Sequence, residues 1–314
     1  MNEQTMIAVL AALLHDLGKF WQRAGRPGPH YEASAAFVDE FEHLFPYAWK
    51  DDIRDGAGNH HRPARKEVEK IVKVADWLAS AEREREPDIP RQDPDQTPLI
   101  PIASRIKLLY DPPYDAQRAD WRLRLDVLSL QRETIFPPQL DPLALGVQVS
   151  QADYARLWGK FAEELRKLSA IDSPWKLVGF LSLLRKYATF IPSATPWEED
   201  EEYRTLPDIS LYDHLKVTAA IAACISHLFP DHLDELLQGL PRRDPAVLAK
   251  PVCLTVRGDI SGIQKFIYRI TKPQVEAKGT AKRLRGRSFY LSLLADVIAD
   301  WFVRELGLTI ANIL

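Results

Sequence analysis

Met6, Ile7, Leu10, Leu13, Leu14 and Leu17 recur at intervals of three and four, the period of one helix face, and Gly18 predicts where that helix ends. The same spacing predicts helices over about Ser34 to Phe45, Ala48 to Asp55 and Lys66 to Glu84. In the last of these, Val68, Val72, Ala75 and Ala79 share a face, and Asp76 falls at or beside it. A carboxylate there requires a proton, a cation or a metal. Pro87, Pro90, Pro94, Pro98 and Pro101 then mark the stretch from Glu86 to Pro101 as a loop or linker.

Beyond it, Ile102 to Leu109 fits either a strand or a short helix, Asp111-Pro112-Pro113 a turn, and Arg122 to Leu130 a strand. Helices are predicted over Asp153 to Ser169, Trp175 to Phe190 and Leu211 to Leu228, the last rich in alanine and so open to close approach by a neighbour. Glu198 to Glu202 reads as a solvated acidic loop. The pattern changes near Pro251. Val252, Leu254 and Val256 alternate like a strand, and Arg257 to Gly262 turns into an amphipathic helix carrying Ile263, Phe266, Ile267 and Ile270. After a basic loop a helix over Ser288 to Leu306 is predicted, ended by Gly307, with Leu308, Thr309, Ile310 and Ile313 opening another strand. A lone pair of strands buries too little to stand by itself, so an incomplete α/β unit and an N-terminal fragment of a longer polypeptide are expected.

Composition narrows the class. At 314 residues the chain exceeds what one core usually serves, which predicts two or more domains, and with the predicted helices and strands the expected class is multidomain α+β. Its formal charge of -3 identifies no partner, because nucleic acid is bound by local fields. Cys224 and Cys253, far apart in sequence, give neither a disulfide framework nor a thiolate metal knuckle, so a reducing cytoplasmic setting is expected. No signal-peptide pattern and no membrane-spanning apolar run is evident.

The chemistry is concentrated early, in Leu14-His15-Asp16-Leu17-Gly18-Lys19, Asn59-His60-His61 and Ala75-Asp76-Trp77. Imidazole and carboxylate together make a mixed nitrogen and oxygen site that suits Mn, Fe, Co, Ni or Zn better than Mg. His15, Asp16 and Asp76 are the candidate catalytic residues, and His15, Asp16, His60 or His61, and Asp76 the candidate ligands, with His30 available to a second ion. Two ions would clamp the attacking and leaving oxygens of a phosphodiester. Each signal alone has a plainer reading: a histidine at a helix C-terminus, an exposed turn, an Asp paired with Arg. All three together favour metal. Lys19 and Arg23 are candidate phosphate attractors, while His43, His227 and His232 read as packing or surface residues. Lys278, Lys282, Arg283, Arg285 and Arg287 form a basic run, with Gly279 and Gly286 permitting close backbone approach, suited to RNA, nucleotide phosphates or an acidic neighbour; Phe266 and Tyr268 read as packing residues.

The His-Asp pair, two-histidine loop and later Asp resemble the HD phosphohydrolase superfamily. Leu14 to Phe20 with Ala75-Asp76, and then Asp208 to Ala220, Gly258 to Tyr268 and Leu284 to Phe289, resemble more narrowly the large subunit of type III-A CRISPR-Cas effector complexes. The resemblance implies an all-helical, circularly permuted HD nuclease domain over 1-100, a mainly helical linker region over 101-247, and the beginning of a ferredoxin-like Palm domain over 248-314. It further implies a nuclease on single-stranded DNA, activated by target RNA, working with guide RNA and neighbouring subunits, and using one or two divalent transition metal ions, Mn, Ni or Co. Of the two loop histidines it favours His61 slightly over His60. ATP binding, with Arg283, Arg285 and Arg287 as contacts, is expected only in the full-length protein, because the family's Gly-Gly-Asp-Asp motif for cyclic oligoadenylate synthesis is absent here. An HD nucleotide phosphohydrolase and a catalytically silent scaffold are the alternatives.

Overall fold

The computed structural model describes residues 2–83, 85–86, 90–102, 121–136, 149–197, 204–228, 232–268 and 280–313. Helix α1 (Glu3–Leu14) begins at Asn2, whose side chain accepts the backbone N–H of Thr5 at 2.8 Å. Every residue of α1 from Thr5 to Leu14 is buried, so it is not an amphipathic surface helix but the centre around which the others pack. Around it lie α4 (Lys50–Gly58), α5 (Glu67–Ala79) and α8 (Leu211–Leu228). Helix α2 (Gly18–Arg23) packs on α3 (His30–Glu40) and on α6 (Gln151–Leu165), which in turn meets α7 (Pro174–Ala188). Phe20, Trp158 and Phe161 close the seam between α2 and α6 in edge and stacked ring contacts.

A two-residue antiparallel ladder, β1 (Arg85–Glu86) on β2 (Arg204–Thr205), pairs Arg85 with Thr205 and Glu86 with Arg204. It ties the chain leaving α5 to the segment entering α8. Helix α9 (Leu233–Gly239) covers the outer side of α5. Further on come α10 (Ile263–Tyr268) and the long α11 (Thr280–Glu305). Among the described residues no helix is long and apolar enough to cross a membrane.

Several expectations require correction. Gly18 does not end the first helix but opens α2; it is needed because a Cβ there would lie 1.9 Å from the His30 carbonyl oxygen and 2.6 Å from the Ser34 nitrogen. The helix predicted from Ser34 begins four residues earlier, so that His30 lies in the first turn of α3. Residues 121–130 are irregular and form no strand, held by Leu123 N–H to Leu99 O and Leu128 N–H to Lys186 O, both 2.8 Å. Residues 252–256 likewise form no strand, and the segment after Gly307 makes a 3₁₀ turn at Ile310–Asn312. A strand is stabilised by its neighbour's hydrogen bonds, and none of the described residues pairs with either segment. The described part of the basic run is helical from Thr280, because Ala281 to Arg287 has no helix breaker except the tolerated Gly286. The expectations for 103–109, for the Asp111-Pro112-Pro113 turn, for Glu198 to Glu202, and for Ile270, Lys278 and Gly279 lie outside the described residues.

Candidate metal centre

The end of α1 places His15 and Asp16 on its buried side, and a hydroxyl locks them there. Ser34 Oγ donates to the His15 carbonyl at 2.7 Å and accepts the Gly18 N–H at 2.9 Å. His60 and His61 follow Asn59 at the C-cap of α4, and Glu69 in the first turn of α5 holds that loop. Its carboxylate accepts from the Asn59 amide at 2.7 Å and from the backbone N–H groups of Arg65 and Lys66 at 2.5 and 3.0 Å. Asp76, buried on α5 as its position beside the apolar stripe predicted, accepts from Ser80 Oγ at 3.0 Å.

Two clusters share Asp16. In one, Asp16 Oδ1 lies 3.3 Å from His30 Nε2 and 3.7 Å from His60 Nε2, with His61 Nε2 3.0 Å from His30 Nε2. In the other, Asp16 Oδ2 lies 3.6 Å from His15 Nε2 and 3.5 Å from His214 Nε2, while Asp76 Oδ1 lies 3.5 and 3.3 Å from the same two nitrogens. Within each set of four residues the potential ligand atoms fall within 4.8 Å of one another. Every candidate ligand read from the sequence is thus in one cluster or both.

The donor set fits divalent cations. His15 Nδ1 contacts the Ala12 carbonyl at 2.7 Å and His60 Nδ1 the Ala57 carbonyl at 2.9 Å. A carbonyl only accepts, so both rings carry the proton on Nδ1 and present a lone pair on Nε2. Both Nε2 atoms are buried and have no hydrogen-bonding partner among the described residues. A buried, aimed and unpaired imidazole lone pair is a costly arrangement that metal ligation relieves.

Charge distribution supports the same use. Burial opposes ionisation of Asp16, but the Lys19 ammonium beside it outweighs that and holds the carboxyl well below the ordinary range. Burial, reinforced by His15, keeps His60 well below the usual imidazole value, and burial with His30 lowers His61. Asp16 is therefore held as an anion and these two imidazoles as neutral candidate ligands.

Lys19 faces the site, with Nζ 2.5 Å from Asp16 Oδ2 and 3.0 Å from the Ser193 carbonyl. Arg23 does not. It is buried, donates to the Pro192 carbonyl at 2.7 Å and lies over the Tyr154 ring, so its expected role with phosphate is replaced by a structural one. His43, His227 and His232 contact Leu165 O, Gly307 O and Glu235, away from both clusters. The residue that sequence reasoning missed as a ligand is His214. It lies on the buried face of α8 with Leu211, Leu215 and Thr218, and a histidine inside an apolar stripe was the available signal.

The arginines of α11 do not converge. Arg283 and Arg287, four residues apart, line an open cavity of about 400 Å³ with Phe266, Gly286 and Tyr290, and Arg285 is exposed outside that lining. Arg287 also donates to the carbonyls of Phe266 and Ile267 at 3.2 and 3.1 Å, capping α10. Phe266 and Tyr268, expected to pack, are 41% and 66% exposed; the only described ring beside Phe266 is Tyr290, at 6.0 Å.

Glu69 allows a pH test of how the two-histidine loop is held. Burial raises its proton affinity, yet the N–H groups of Arg65 and Lys66 and the Asn59 amide outweigh that and depress the carboxyl below its ordinary 4.5. A depressed carboxyl adds stability above its unfolded value and loses it as pH falls through the folded value. Glu69→Gln is therefore expected to cost about 1 kcal/mol at pH 7 and progressively less in acid, as read from urea unfolding at pH 7, 5 and 4. A cost independent of pH would contradict this account.

A helical unit in which the aspartate of a His-Asp pair joins two histidine-rich metal clusters is an HD domain, and the HD domain family matches residues 2–81. Residues 252–314 match the family described as Csm1 subunit domain B. The chain belongs to the Cas10/Csm1 family of type III-A CRISPR effector subunits. It is 30% identical to the single-strand-specific deoxyribonuclease Cas10/Csm1 of Methanocaldococcus jannaschii, over 100% of this chain and 40% of that protein. It is 28% identical to the Mycobacterium tuberculosis relative of the same description, over 100% and 39%. Among solved structures, Csm1 of T. onnurineus superposes with a TM-score of 0.60 at 28% identity, covering 98% of this chain and 37% of that one. A Csm1-Csm4 cassette in complex with pppApA gives 0.63 at 26%, covering 98% and 38%. The chain thus spans about 40% of the length of the curated relatives it matches.

Proposed function

We propose that this chain carries a metal-dependent phosphodiesterase centre that cuts single-stranded DNA within an RNA-guided type III-A complex activated by target RNA. One observation carries the reading: Asp16 is shared by two clusters in which the Nε2 lone pairs of His15 and His60 are buried and unpaired. The relatives' description as single-strand-specific deoxyribonucleases supports DNA as the substrate.

His15, Asp16, Asp76 and His214 would hold one cation, and Asp16, His30, His60 and His61 a second, with the nitrogen-rich donors favouring Mn, Ni or Co. Bound divalent cations acidify water and neutralise charge on a scissile phosphate. The chain's own part is to orient and to compensate charge. The Ala12 and Ala57 carbonyls fix two imidazoles in the ligating tautomer, and Lys19 sets a cation beside Asp16 where a phosphate would approach.

We read 1-100 as the core of a permuted HD domain, 101-247 as a mainly helical region whose α8 returns to that core, and 248-314 as a ferredoxin-like Palm segment; the completion of the site by His214 from α8 supports that return. In the whole protein Arg283 and Arg287 would form part of an ATP pocket, and a Csm4-like subunit would be the neighbour, as in the solved relatives.

Dialysis against a chelator should abolish cleavage of a labelled single-stranded oligonucleotide, and Mn, Co or Ni should restore it. Phosphate release from dNTPs without strand scission would favour a nucleotide phosphohydrolase, and failure to bind any of these metals would favour a scaffold.

A further inference from the structure

Arg83 follows the 3₁₀ turn Ser80–Glu82 at the end of α5, in extended backbone just before β1. Its Nη2 lies 3.2 Å from His214 Nε2 and 3.8 Å from Asp16 Oδ2. A guanidinium is always charged and only donates, so this contact requires His214 to present its Nε2 lone pair to the arginine. The same Nε2 is the ligand atom that His214 offers to the cluster with His15, Asp16 and Asp76. One lone pair serves one partner at a time: an ion on Nε2 excludes Arg83, and two positive charges at that separation repel.

The hold on Arg83 is light. Its contact to His214 is with a neutral ring and its approach to Asp16 is long and monodentate, while its buried Nε has no hydrogen-bonding partner among the described residues. Lys19 differs, fixed between Asp16 and the Ser193 carbonyl. The Arg83 side chain is also 23% exposed, so it stands between the cluster and solvent. A displaced guanidinium there meets whatever anion enters, and its planar fork matches phosphate oxygens two at a time.

We propose that Arg83 is an exchangeable phosphate clamp: it shares His214 Nε2 with the divalent cation and, when the cation takes that lone pair, engages the backbone phosphate of single-stranded DNA. The proposal rests on the nuclease reading above and adds a substrate contact to it.

The test measures two equilibria with opposite expected signs on the wild-type chain, Arg83→Gln and Arg83→Lys. Mn binding is followed by titration calorimetry, and DNA binding by anisotropy of a labelled, cleavage-resistant phosphorothioate oligonucleotide in the presence of Mn. Arg83→Gln should tighten Mn binding by about tenfold, because a competing cation is removed. It should weaken DNA binding by about tenfold and lower the salt dependence by roughly one phosphate contact. Arg83→Lys keeps the charge without the fork, so its Mn affinity should stay near wild type while DNA affinity falls; it also serves if the Gln variant melts early. A wild type that binds Mn and DNA beside an Arg83→Gln variant with unchanged Mn affinity, or beside either variant with unchanged DNA affinity, overturns the Arg83 proposal alone. A wild type that binds neither overturns the nuclease reading, and this proposal with it.

Discussion

Asp16→Asn should remove metal-dependent cleavage of single-stranded DNA almost completely while leaving the protein folded. The two oxygens of Asp16 serve different clusters, Oδ1 toward His30 and His60 and Oδ2 toward His15 and His214. An amide keeps the shape but offers one neutral acceptor and one donor in place of two anionic ligands, so one cluster loses its shared ligand outright and the other loses charge. Changing residues one shell beyond a metal costs 10- to 100-fold, so loss of a shared ligand should exceed about 100-fold in rate. Bound metal per chain, measured by plasma emission spectroscopy after Mn loading, should fall in parallel. Full metal content and wild-type cleavage in the variant would show that Asp16 ligates nothing.

The second large effect is on stability. Gly18→Ala would drive a methyl group into the backbone of α3, where the His30 carbonyl oxygen lies only 1.9 Å from the new Cβ position and cannot rotate away. Helices α2 and α3 must separate, and the Ser34 hydroxyl that joins Gly18 to His15 loses its geometry with them. Overpacking that side chains can absorb costs about 1–3 kcal/mol; a clash with fixed backbone should cost about 3 kcal/mol or more, lowering the melting temperature by about 4 °C or more. Gly159→Ala is the matched control, since a Cβ there meets nothing within 4 Å and alanine is the better helix former. That variant should melt slightly higher than wild type. Equal melting of all three proteins would refute the close approach of α2 and α3.

Signals that act over a few residues were legible in the sequence. The His15-Asp16 pair, the loop histidines and Asp76 beside an apolar stripe could be read directly, and the bounds of α8 follow from its periodicity. What depends on distant partners was not. Gly18 has the chemistry of a helix terminator, and only the position of α3 reveals that it is there to admit another backbone. Lys19 and Arg23 are one turn apart and look alike in sequence, yet Arg23 is claimed by the carbonyl of Pro192, 169 positions away. His214 joins residues some 200 positions earlier, a separation across which periodicity carries no information. The alternation over 252–256 is real, but a strand exists only with a neighbour to bond.

Because α1 is buried on every side, its order of synthesis has a consequence for how the protein is made. Helix α1 leaves the ribosome before the helices that cover it, and part of that cover is α8, about 200 residues later. At translation rates of 5–20 residues per second, roughly 10 to 40 s pass with an apolar face of α1 unshielded. The nascent chain therefore offers chaperones a long window around α1, and the candidate metal centre, waiting for His214, cannot be assembled until that window closes.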